Sequence, residues 1–297
     1  KERDSAGTII DFPDDSTYAR YQRRGGVLSR DDWRRQNVDL FVQQLYRGVK
    51  QTKRWVKFGV SPIGTWRPGN PETIKGFDAY AEIYADSKRW LNNGWLDYFT
   101  PQLYWPIART EVSYPVLLKW WVSQNMKARN IWPGNYTGRV GRPAPDGWMT
   151  QEILDQIALT RSQPGATGNI HFSARAFMQS KDSLVERLIS GPYSGPALVP
   201  TSRWLDSIPP LSPRITVRTD SATRAPVVRM VPRGATKVWL WVVRSRSAGA
   251  WTTVVLPGWM RSHMFATDAK PEFVYVSTVD RVGNESRATK GRHPPTH

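Results

Sequence analysis

Apolar residues in the first two thirds of the chain follow two alternating patterns. One pattern repeats every three or four residues, as at Val38, Val42 and Leu45, and predicts amphipathic helices. Helices of this kind are predicted at 31–53, 78–93, 114–128, 150–162 and 180–190, with Thr150 as the N-terminal cap of the fourth. The other pattern is a short apolar run, which predicts β-strands at 55–60, 98–105, 130–136 and 169–173.

The spacing of these strands indicates how they are connected. They begin at residues 55, 98, 130 and 169, which lie 43, 32 and 39 residues apart, with a helix in each interval. Such intervals are typical of parallel strands joined by crossover helices. Four strands amount to half of an eight-stranded (β/α)8 barrel or to a small open α/β sheet. The pattern alone leaves both alternatives open.

A proline-rich segment divides the chain. Proline fixes φ and lacks a backbone donor, so this segment is expected to be an extended connector from 192 onward, with at most a short helical piece at 202–206. We therefore predict two domains, at 1–208 and 209–297. In the second domain, Gly and Pro turns separate short apolar runs, which predicts a small all-β sandwich. Its strands are predicted at 214–218, 227–231, 237–244, 251–256 and 273–279.

Charge distinguishes the second domain from the first. The chain holds 42 Lys and Arg against 25 Asp and Glu, a net charge of +17. Residues 209–297 hold 14 of these cations and 5 of these anions, so the smaller domain carries +9 of the total. A field of this sign attracts polyanions such as acidic polysaccharide, anionic lipid or nucleic acid. The basic residues are dispersed and match no nucleic-acid motif, so we predict no nucleic-acid partner.

Composition also removes several kinds of chemistry. With no cysteine, the chain has no disulfide, no thiolate metal ligand and no thiol nucleophile. The histidines are too scattered for a metal site and no phosphate-binding glycine loop is present, so neither a metal nor a cofactor is predicted. No apolar run reaches the roughly 18 residues of a membrane-spanning helix. The chain begins at Lys1 with no Met or apolar leader, which predicts a processed product or a fragment.

Runs rich in Trp, Tyr, Gly and Pro give the first domain a more specific signature. The longest, at 55–69, has the sequence WVKFGVSPIGTWRPG. Shorter runs are YADS at 84–87, GWLDY at 94–98, PQLYWP at 101–106, the pair Trp120-Trp121 and the opening DFPDD at 11–15. Across residues 11–208 the chain resembles the glycosyl hydrolase-like 10 family. The last part, with VYVSTVDRVGNES at 274–286, resembles a fibronectin type III-like module.

The resemblance implies a fold, an activity and a location. Members of this family have a TIM-like barrel and are bacterial envelope proteins, often lipoproteins, associated with cleaving the glycan strands of peptidoglycan. The implied fold class is α/β, the C-terminal half of a TIM-like (β/α)8 barrel followed by a small all-β sandwich, and the implied location is extracytoplasmic. The family has an acidic, aromatic strand end shortly before the position of Asp11, and this sequence starts after it. The catalytic carboxylates are therefore expected in a missing N-terminal half.

Aromatic and polar residues gather where the predicted strands end. A sugar ring stacks its C–H face on an aromatic ring, while amides and guanidinium groups bind its hydroxyls and carboxylates. Since the carboxyl ends of parallel strands meet at one edge, these residues would share one face. The predicted substrate-binding residues are Trp66, Arg67, Gln102, Tyr104, Trp105, Asn135, Tyr136 and His171. The competing interpretation is that the aromatic side chains fill the core.

Carboxylates are scarce at the predicted strand ends. Glycoside hydrolysis usually needs two of them at the mouth of a barrel. Asp97 begins its strand and should lie at the opposite edge, and Asp86 falls inside a predicted helix, where packing or ion pairing is expected. Asp78 and Glu111 lie close to loops that could reach the mouth. His171 could act as a general acid or base, or could be a hydrogen-bonded core residue.

Two functions are compatible with these observations. The first is a glycoside hydrolase acting on the glycan strands of bacterial peptidoglycan, incomplete in this chain, whose partner is a glycan polymer. The alternative is a non-catalytic binder of anionic cell-wall polysaccharide, docked through the basic second domain.

Overall fold

A computed structural model describes residues 2–7, 9–269 and 271–291. It has two compact units, Lys1–Pro192 and Tyr193–His297. The division falls at the start of the proline-rich connector, which belongs to the second unit because Ser202 N–H donates to Val282 O at 2.9 Å. Residues 203–205 form a turn where a helical piece was predicted. The C-terminal residues His293 and His297 lie outside the described residues.

Helices and short strands alternate in the first unit. Its strands are β1 (Glu2–Arg3), β2 (Ile9–Ile10), β3 (Gly59–Val60), β4 (Tyr98–Phe99), β5 (Asn130–Ile131), β6 (Gly134–Asn135) and β7 (Ile170–His171). Its helices are α1 (Asp15–Arg23), α2 (Arg30–Thr52), α3 (Ala79–Glu82), α4 (Ser87–Asn93), α5 (Tyr114–Ser123), α6 (Thr150–Ser162), α7 (Ala174–Gln179) and α8 (Leu184–Ser190). Single 3₁₀ turns lie at Thr110–Val112, Thr137–Arg139 and Lys181–Ser183.

Strands β3 to β7 form parallel neighbours in chain order. β3 pairs with β4, β4 with β5, and β6 with β7. Parallel bridges join Ile63 to Gln102, Gln102 to Gly134 and Ile131 to Ala166, so the four predicted strand segments lie side by side. This confirms a mixed helix and sheet unit with parallel strands. Within the described ranges, no ladder joins the first segment to the last, so the array is open.

Each strand is shorter than predicted. The segment 130–136 divides into β5 and β6 around Pro133, which has no N–H to donate to a ladder. Trp55 and Val56 lie in a turn after α2 instead of in β3. A Cβ added to Gly59 would lie 2.1 Å from the Tyr98 ring. Only glycine therefore lets that ring pack across β3.

The predicted helices differ in how well they match the structure. Those at 31–53 and 150–162 are confirmed as α2 and α6. α2 begins at a conventional cap, because the Ser29 hydroxyl accepts a hydrogen bond from Asp32 N–H at 3.2 Å. The predicted helix at 78–93 is wrong in its middle. There the backbone turns at Tyr84, where φ is 58°, and Asp86 caps α4 by accepting from Arg89 N–H at 3.2 Å.

Three helix ends were predicted incorrectly. The predicted helix at 180–190 is reduced to α8, and α7 lies ahead of it. Thr150 is the first residue of α6 and not its cap. Its N–H donates to the Asp182 carboxylate at 2.5 Å, so an acceptor distant in sequence takes the place of a local cap. α5 ends at Ser123, earlier than predicted, in a turn at Gln124.

The largest apolar cluster of the first unit lies between the parallel strands and the helices that follow them. Leu91, Phe99, Trp121 and Ile131 are all fully buried in it. The indole of Trp121 is also satisfied, since its Nε1–H donates to Gly64 O at 2.7 Å. A smaller cluster joins α6 to α8. No helix within the described residues has the length and hydropathy needed to cross a membrane.

The second unit is all antiparallel, and its five predicted strands are confirmed. One sheet has the order β12-β9-β8 and the other β11-β10-β13-β14. Buried residues from both sheets, including Val228, Trp241 and Val276, form one cluster between them. The strands are β8 (Arg214–Thr219), β9 (Pro226–Val231), β10 (Leu240–Ser247), β11 (Ala250–Pro257), β12 (Ser262–Met264), β13 (Phe273–Val279) and β14 (Thr289–Gly291).

Candidate functional site

Three aromatic rings meet at the carboxyl edge of the parallel strands. Tyr104 follows β4, Tyr136 follows β6 and Phe172 follows β7. The centroid of the Tyr104 ring lies 5.1 Å from that of Tyr136 and 5.6 Å from that of Phe172. The centroids of Tyr136 and Phe172 are 5.4 Å apart. We call these residues the aromatic triad. The sequence predicted both tyrosines and missed Phe172, which was placed inside a strand.

A cleft of ≈ 250 Å³ opens beside the aromatic triad, between loop 136–142 and segment 172–184. Its walls are joined by a hydrogen bond from Gly138 N–H to Phe172 O at 2.9 Å. Three of its lining residues are basic and none is acidic. We call it the basic cleft. Its cations are Arg142, Arg175 and Lys181. None of the three was among the predicted substrate-binding residues, although Arg175 lies close to a strand end.

Gln102 and Trp105 also lie at this edge. The Gln102 side chain is half-buried and its Nε2 donates to Ser61 O at 2.8 Å, which ties together the ends of two neighbouring strand segments. The Trp105 ring packs against the large apolar cluster. Trp105 O accepts a hydrogen bond from Gln156 Nε2 at 3.2 Å. Trp105 therefore contributes to the core, as the competing interpretation expected for the tryptophans.

Trp66 and Arg67 are held by the helices next to the edge. The Trp66 ring stacks on Trp120 with centroids 6.1 Å apart, and its Nε1–H donates to Asp86 at 3.1 Å. Arg67 Nε donates to the Asp78 carboxylate at 3.2 Å. Trp66 thus contacts α5 and the cap residue of α4, and Arg67 contacts the cap residue of α3. The structure does not place them with the aromatic triad.

Asn135 points into the protein. Its side chain is fully buried, and its Nδ2 donates to Gln156 Oε1 at 2.8 Å and to Tyr114 Oη at 3.2 Å. Its Oδ1 accepts from Asn169 Nδ2 at 2.8 Å. The amide is therefore committed to a buried network behind β6. The expectation that it faces a substrate is corrected by the direction of its side chain.

His171 lies next to Asn135 on β7 and is partly buried. Burial lowers its pKa to about 4, so the imidazole is neutral at pH 7. Its ring meets the edge of Phe177 at a centroid distance of 5.2 Å. It is not among the residues that line the basic cleft. A neutral imidazole can form a hydrogen bond with a hydroxyl but carries no proton to donate as an imidazolium.

The carboxylates near the parallel strands have structural partners. Asp97 lies just before β4, fully buried, where it accepts from Phe58 N–H at 2.8 Å and binds Lys50. This confirms its expected place at the opposite edge. Asp78 caps α3 by accepting from Ala81 N–H at 2.9 Å. Within the described residues, no group of three or more His, Asp or Glu side chains could hold a metal ion.

A second cavity of ≈ 650 Å³ lies where α1 and α2 begin. The buried carboxylate of Asp14 forms an ion pair with Arg34, in which Arg34 Nε donates to Asp14 Oδ2 at 2.7 Å. Hydrogen bonding to Arg34 lowers the pKa of Asp14 to about 2. Asp14 is therefore ionised at neutral pH and cannot act as a general acid there. In the sequence, residues 11–15 contributed only to the family resemblance and were not predicted to form a site.

These features define a class of protein. Parallel strands joined by helices, with aromatic rings and basic side chains gathered at their carboxyl edge, define an α/β domain with a candidate binding edge. The chain belongs to the glycosyl hydrolase-like 10 family, whose sequence profile matches residues 3–151.

Similar proteins extend the comparison. The chain is 32% identical over 297 aligned residues to glycosyl hydrolase YngK of Bacillus subtilis (strain 168), with 94% of this chain and 58% of that protein covered. It is 37% identical over 171 residues to glycosyl hydrolase DigH of Escherichia coli (strain K12), with 54% of this chain and 38% of that protein covered. The chain therefore spans less than two thirds of the length of these relatives.

Solved structures show weaker likeness. A Fn3-like protein from Clostridium thermocellum aligns with 30% of this chain and 99% of its own length, at 18% identity and a TM-score of 0.23.

Proposed function

We propose that this protein acts as a glycoside hydrolase on the glycan strands of bacterial peptidoglycan. The observation that carries the proposal is the aromatic triad beside the basic cleft, at the carboxyl edge of the parallel strands, in a chain of the glycosyl hydrolase-like 10 family. This edge is where enzymes with parallel barrels hold their substrates. An extracytoplasmic location in the cell envelope is part of the same proposal.

We interpret the four parallel strand segments as the C-terminal half of a TIM-like barrel. Neighbouring segments follow chain order, and helices connect them, as in such a barrel. In the described residues the first and last segments are not paired with each other, which leaves both edges able to join further strands. The interpretation requires four more strand–helix units from the same protein or from a partner.

The present residues are assigned to binding rather than to bond cleavage. Aromatic rings bury the C–H face of a sugar, and neighbouring polar groups orient its hydroxyls. Hydrolysis needs two carboxyl groups flanking the glycosidic bond. Asp78 and Asp86 begin helices and Asp97 lies at the opposite edge, so none of these three is assigned a catalytic role.

The test is hydrolysis of glycan strands from which the stem peptides have been removed. The protein expressed from its complete gene should generate new reducing ends and shorter glycan chains, detected by mass spectrometry. Tyr136→Leu should slow this reaction, whereas the matched change Tyr193→Leu, at an exposed position in the second unit, should not. Intact strands after prolonged incubation with folded protein would contradict the proposed activity.

A second candidate function is binding of an anionic wall polysaccharide by the second unit. The outward face of its four-stranded sheet combines aromatic rings with cations. Trp251, which is 55% exposed, lies 5.7 Å from Tyr275 between ring centroids, and Lys290 Nζ lies 4.2 Å from the Phe273 ring. Arg246 pairs across the strands with both Trp251 and Phe273. We also interpret this two-sheet unit as a fibronectin type III-like module.

Retention of the chain on an immobilised acidic wall polysaccharide tests the second function. Electrostatic binding should weaken as salt is raised, since screening shortens the range of the attraction. The variant Lys290→Gln should elute at lower salt than the native chain, and Lys119→Gln, which changes an exposed cation of the first unit, should elute later than Lys290→Gln. Retention that is insensitive to salt, or equal elution of the two variants, would exclude binding through this face.

A further inference from the structure

In the part of the chain that the structure describes, the three cations of the basic cleft, Arg142, Arg175 and Lys181, form no ion pair with a carboxylate. Arg139 provides the contrast, since it belongs to the same loop as Arg142 but pairs with Asp146 at 2.6 Å. Positive charge is therefore left unneutralised inside the cleft, while the neighbouring arginine is neutralised.

Arg142 is oriented with part of its guanidinium available. Its Nε donates to Gly138 O at 2.5 Å, and the guanidinium carbon lies 5.6 Å from the centroid of the Tyr136 ring. Among the described residues, its two terminal nitrogens donate no hydrogen bond. A guanidinium held in this way presents a pair of N–H groups, the arrangement that binds a carboxylate through two parallel hydrogen bonds.

The opposite wall of the cleft is packed tightly against the Arg142 loop. Gly141 has a φ of +68°, and a Cβ added there would lie 2.6 Å from Lys181 Cβ. Glycine is therefore required for Lys181 to approach the loop. On the same wall, Arg175 lies in the first turn of α7 and is exposed. The backbone segments that carry the cations are thus in close contact. Because these segments are already held together, less conformational entropy is lost when a ligand binds.

The size and lining of the cleft restrict the ligand. A volume of ≈ 250 Å³ lies below the 300–1,000 Å³ or so of a cleft that encloses a drug-sized molecule. It suits one small charged group better than a long polyanion. The rings of Tyr136 and Phe172 stand beside the cations, and Phe172 is 50% exposed. These rings offer an apolar surface to whatever carries the anionic group.

We propose that the basic cleft binds the carboxylate of an acidic sugar residue in a glycan, with Arg142, Arg175 and Lys181 as its ligands. The sugar ring that carries the carboxylate contacts Tyr136 and Phe172. This inference rests on the proposed function, because it names the substrate feature that the same edge recognises. It makes the protein selective for glycans that contain acidic sugars over neutral glycans of the same backbone.

Calorimetric titration of the chain with two matched disaccharides tests the inference. One disaccharide ends in N-acetylmuramic acid, and the other is its carboxyl methyl ester, so only the charge differs. The acid should bind about tenfold more tightly than the ester, as expected when a charge-assisted pair worth about 1.4 kcal/mol is lost. Arg175→Gln and Lys181→Gln should each weaken binding of the acid and leave binding of the ester unchanged.

The control is Lys119→Gln, which removes the same charge from an exposed position on α5 outside the cleft. It should keep the preference for the acid, which separates the cleft from the general field of a chain with a net charge of +17. Equal affinity of the native chain for acid and ester would overturn the inference. So would a preference that persists in the double variant Arg175→Gln, Lys181→Gln.

Binding and hydrolysis can fail separately. The complete gene product could leave glycan strands intact while the chain prefers the acid and the variants lose that preference. That result would support carboxylate binding in the basic cleft and contradict the proposed hydrolase activity. If strands are cleaved but acid and ester bind equally, the result would support the proposed hydrolase activity and contradict carboxylate binding in the basic cleft.

Discussion

The rings of Tyr104 and Tyr136 lie 5.1 Å apart between centroids, although they follow different strands of the parallel array. Gly134 in β6 leaves room for the Tyr104 ring, because a Cβ at that position would lie 3.0 Å from it and would require the ring to shift. Burial raises the pKa of Tyr104, so its hydroxyl stays protonated at neutral pH. The pair therefore offers a fixed aromatic surface with hydroxyl groups that can form hydrogen bonds.

Replacing one ring of this pair should weaken glycan binding. We expect Tyr136→Leu to lower the affinity of the chain for a neutral chitin oligosaccharide about 2- to 13-fold, because aromatic contacts contribute about 0.5–1.5 kcal/mol beyond the buried area. Isothermal titration calorimetry measures the change. Tyr193→Leu, at an exposed position in the second unit, should bind the oligosaccharide like the native chain. Unchanged affinity in Tyr136→Leu would show that the pair does not contact sugar.

The pKa of His171 predicts how the stability of the first unit depends on pH. Burial lowers this pKa from 6.5 to about 4, so between these values the unfolded chain binds a proton that the folded chain does not. The free energy of unfolding should therefore be highest above pH 6.5 and fall as pH is lowered toward 4. The slope from this group is at most about 1.4 kcal/mol per pH unit.

Urea unfolding at several pH values, followed by far-UV circular dichroism, measures this slope. In the described residues the α-helices belong to the first unit, so the helical signal reports on that unit. His171→Gln should flatten the dependence between pH 6.5 and 4. Asp14, whose pKa is lowered to about 2, loses most of its stabilising ionisation below the ordinary aspartate pKa of 3.8, which lies below this window. An identical slope in the variant would assign the effect to other groups.

The buried ion pair between Asp14 and Arg34 should be important for stability. Asp14 and Arg34 are 6% and 7% exposed, so removing the cation leaves a buried carboxylate with less compensation. Arg34→Met should lower the free energy of unfolding by about 3 kcal/mol. The matched change Arg139→Met disrupts a pair whose partner Asp146 is 74% exposed, and should cost less than about 1 kcal/mol. Equal losses in the two variants, measured by urea unfolding, would contradict this ranking.

Because Asn135 is buried, its replacement should lower the stability of the first unit without changing the affinity for glycan. Asn135→Ala removes hydrogen bonds to Gln156, Tyr114 and Asn169 at a fully buried position, so the free energy of unfolding should fall by about 2 kcal/mol. At a temperature where the variant remains folded, its affinity for the chitin oligosaccharide should equal that of the native chain. A loss of affinity with no loss of stability would instead return Asn135 to the substrate-facing residues.

The local patterns of the sequence predicted the elements whose stability comes from one buried stripe. The three- and four-residue spacing identified α2 and α6 because each packs one face against the core. The same reasoning failed at 78–93, where the φ of 58° at Tyr84 and the capping by Asp86 interrupt a regular apolar spacing. Backbone breaks of this kind leave little trace in hydrophobic periodicity.

By itself, the sequence determined the order of helices and parallel strands, the all-β character of the second unit and the presence of aromatic and basic residues after the strands. Only the tertiary structure decided which of these side chains face the same space. It turned Asn135 inward and brought Phe172, Arg175 and Lys181 opposite Arg142. The physical reason is range. Spacing along the chain records which side of one element is buried, whereas a cleft depends on distances between loops that are far apart in sequence and are set by the packing of the whole unit.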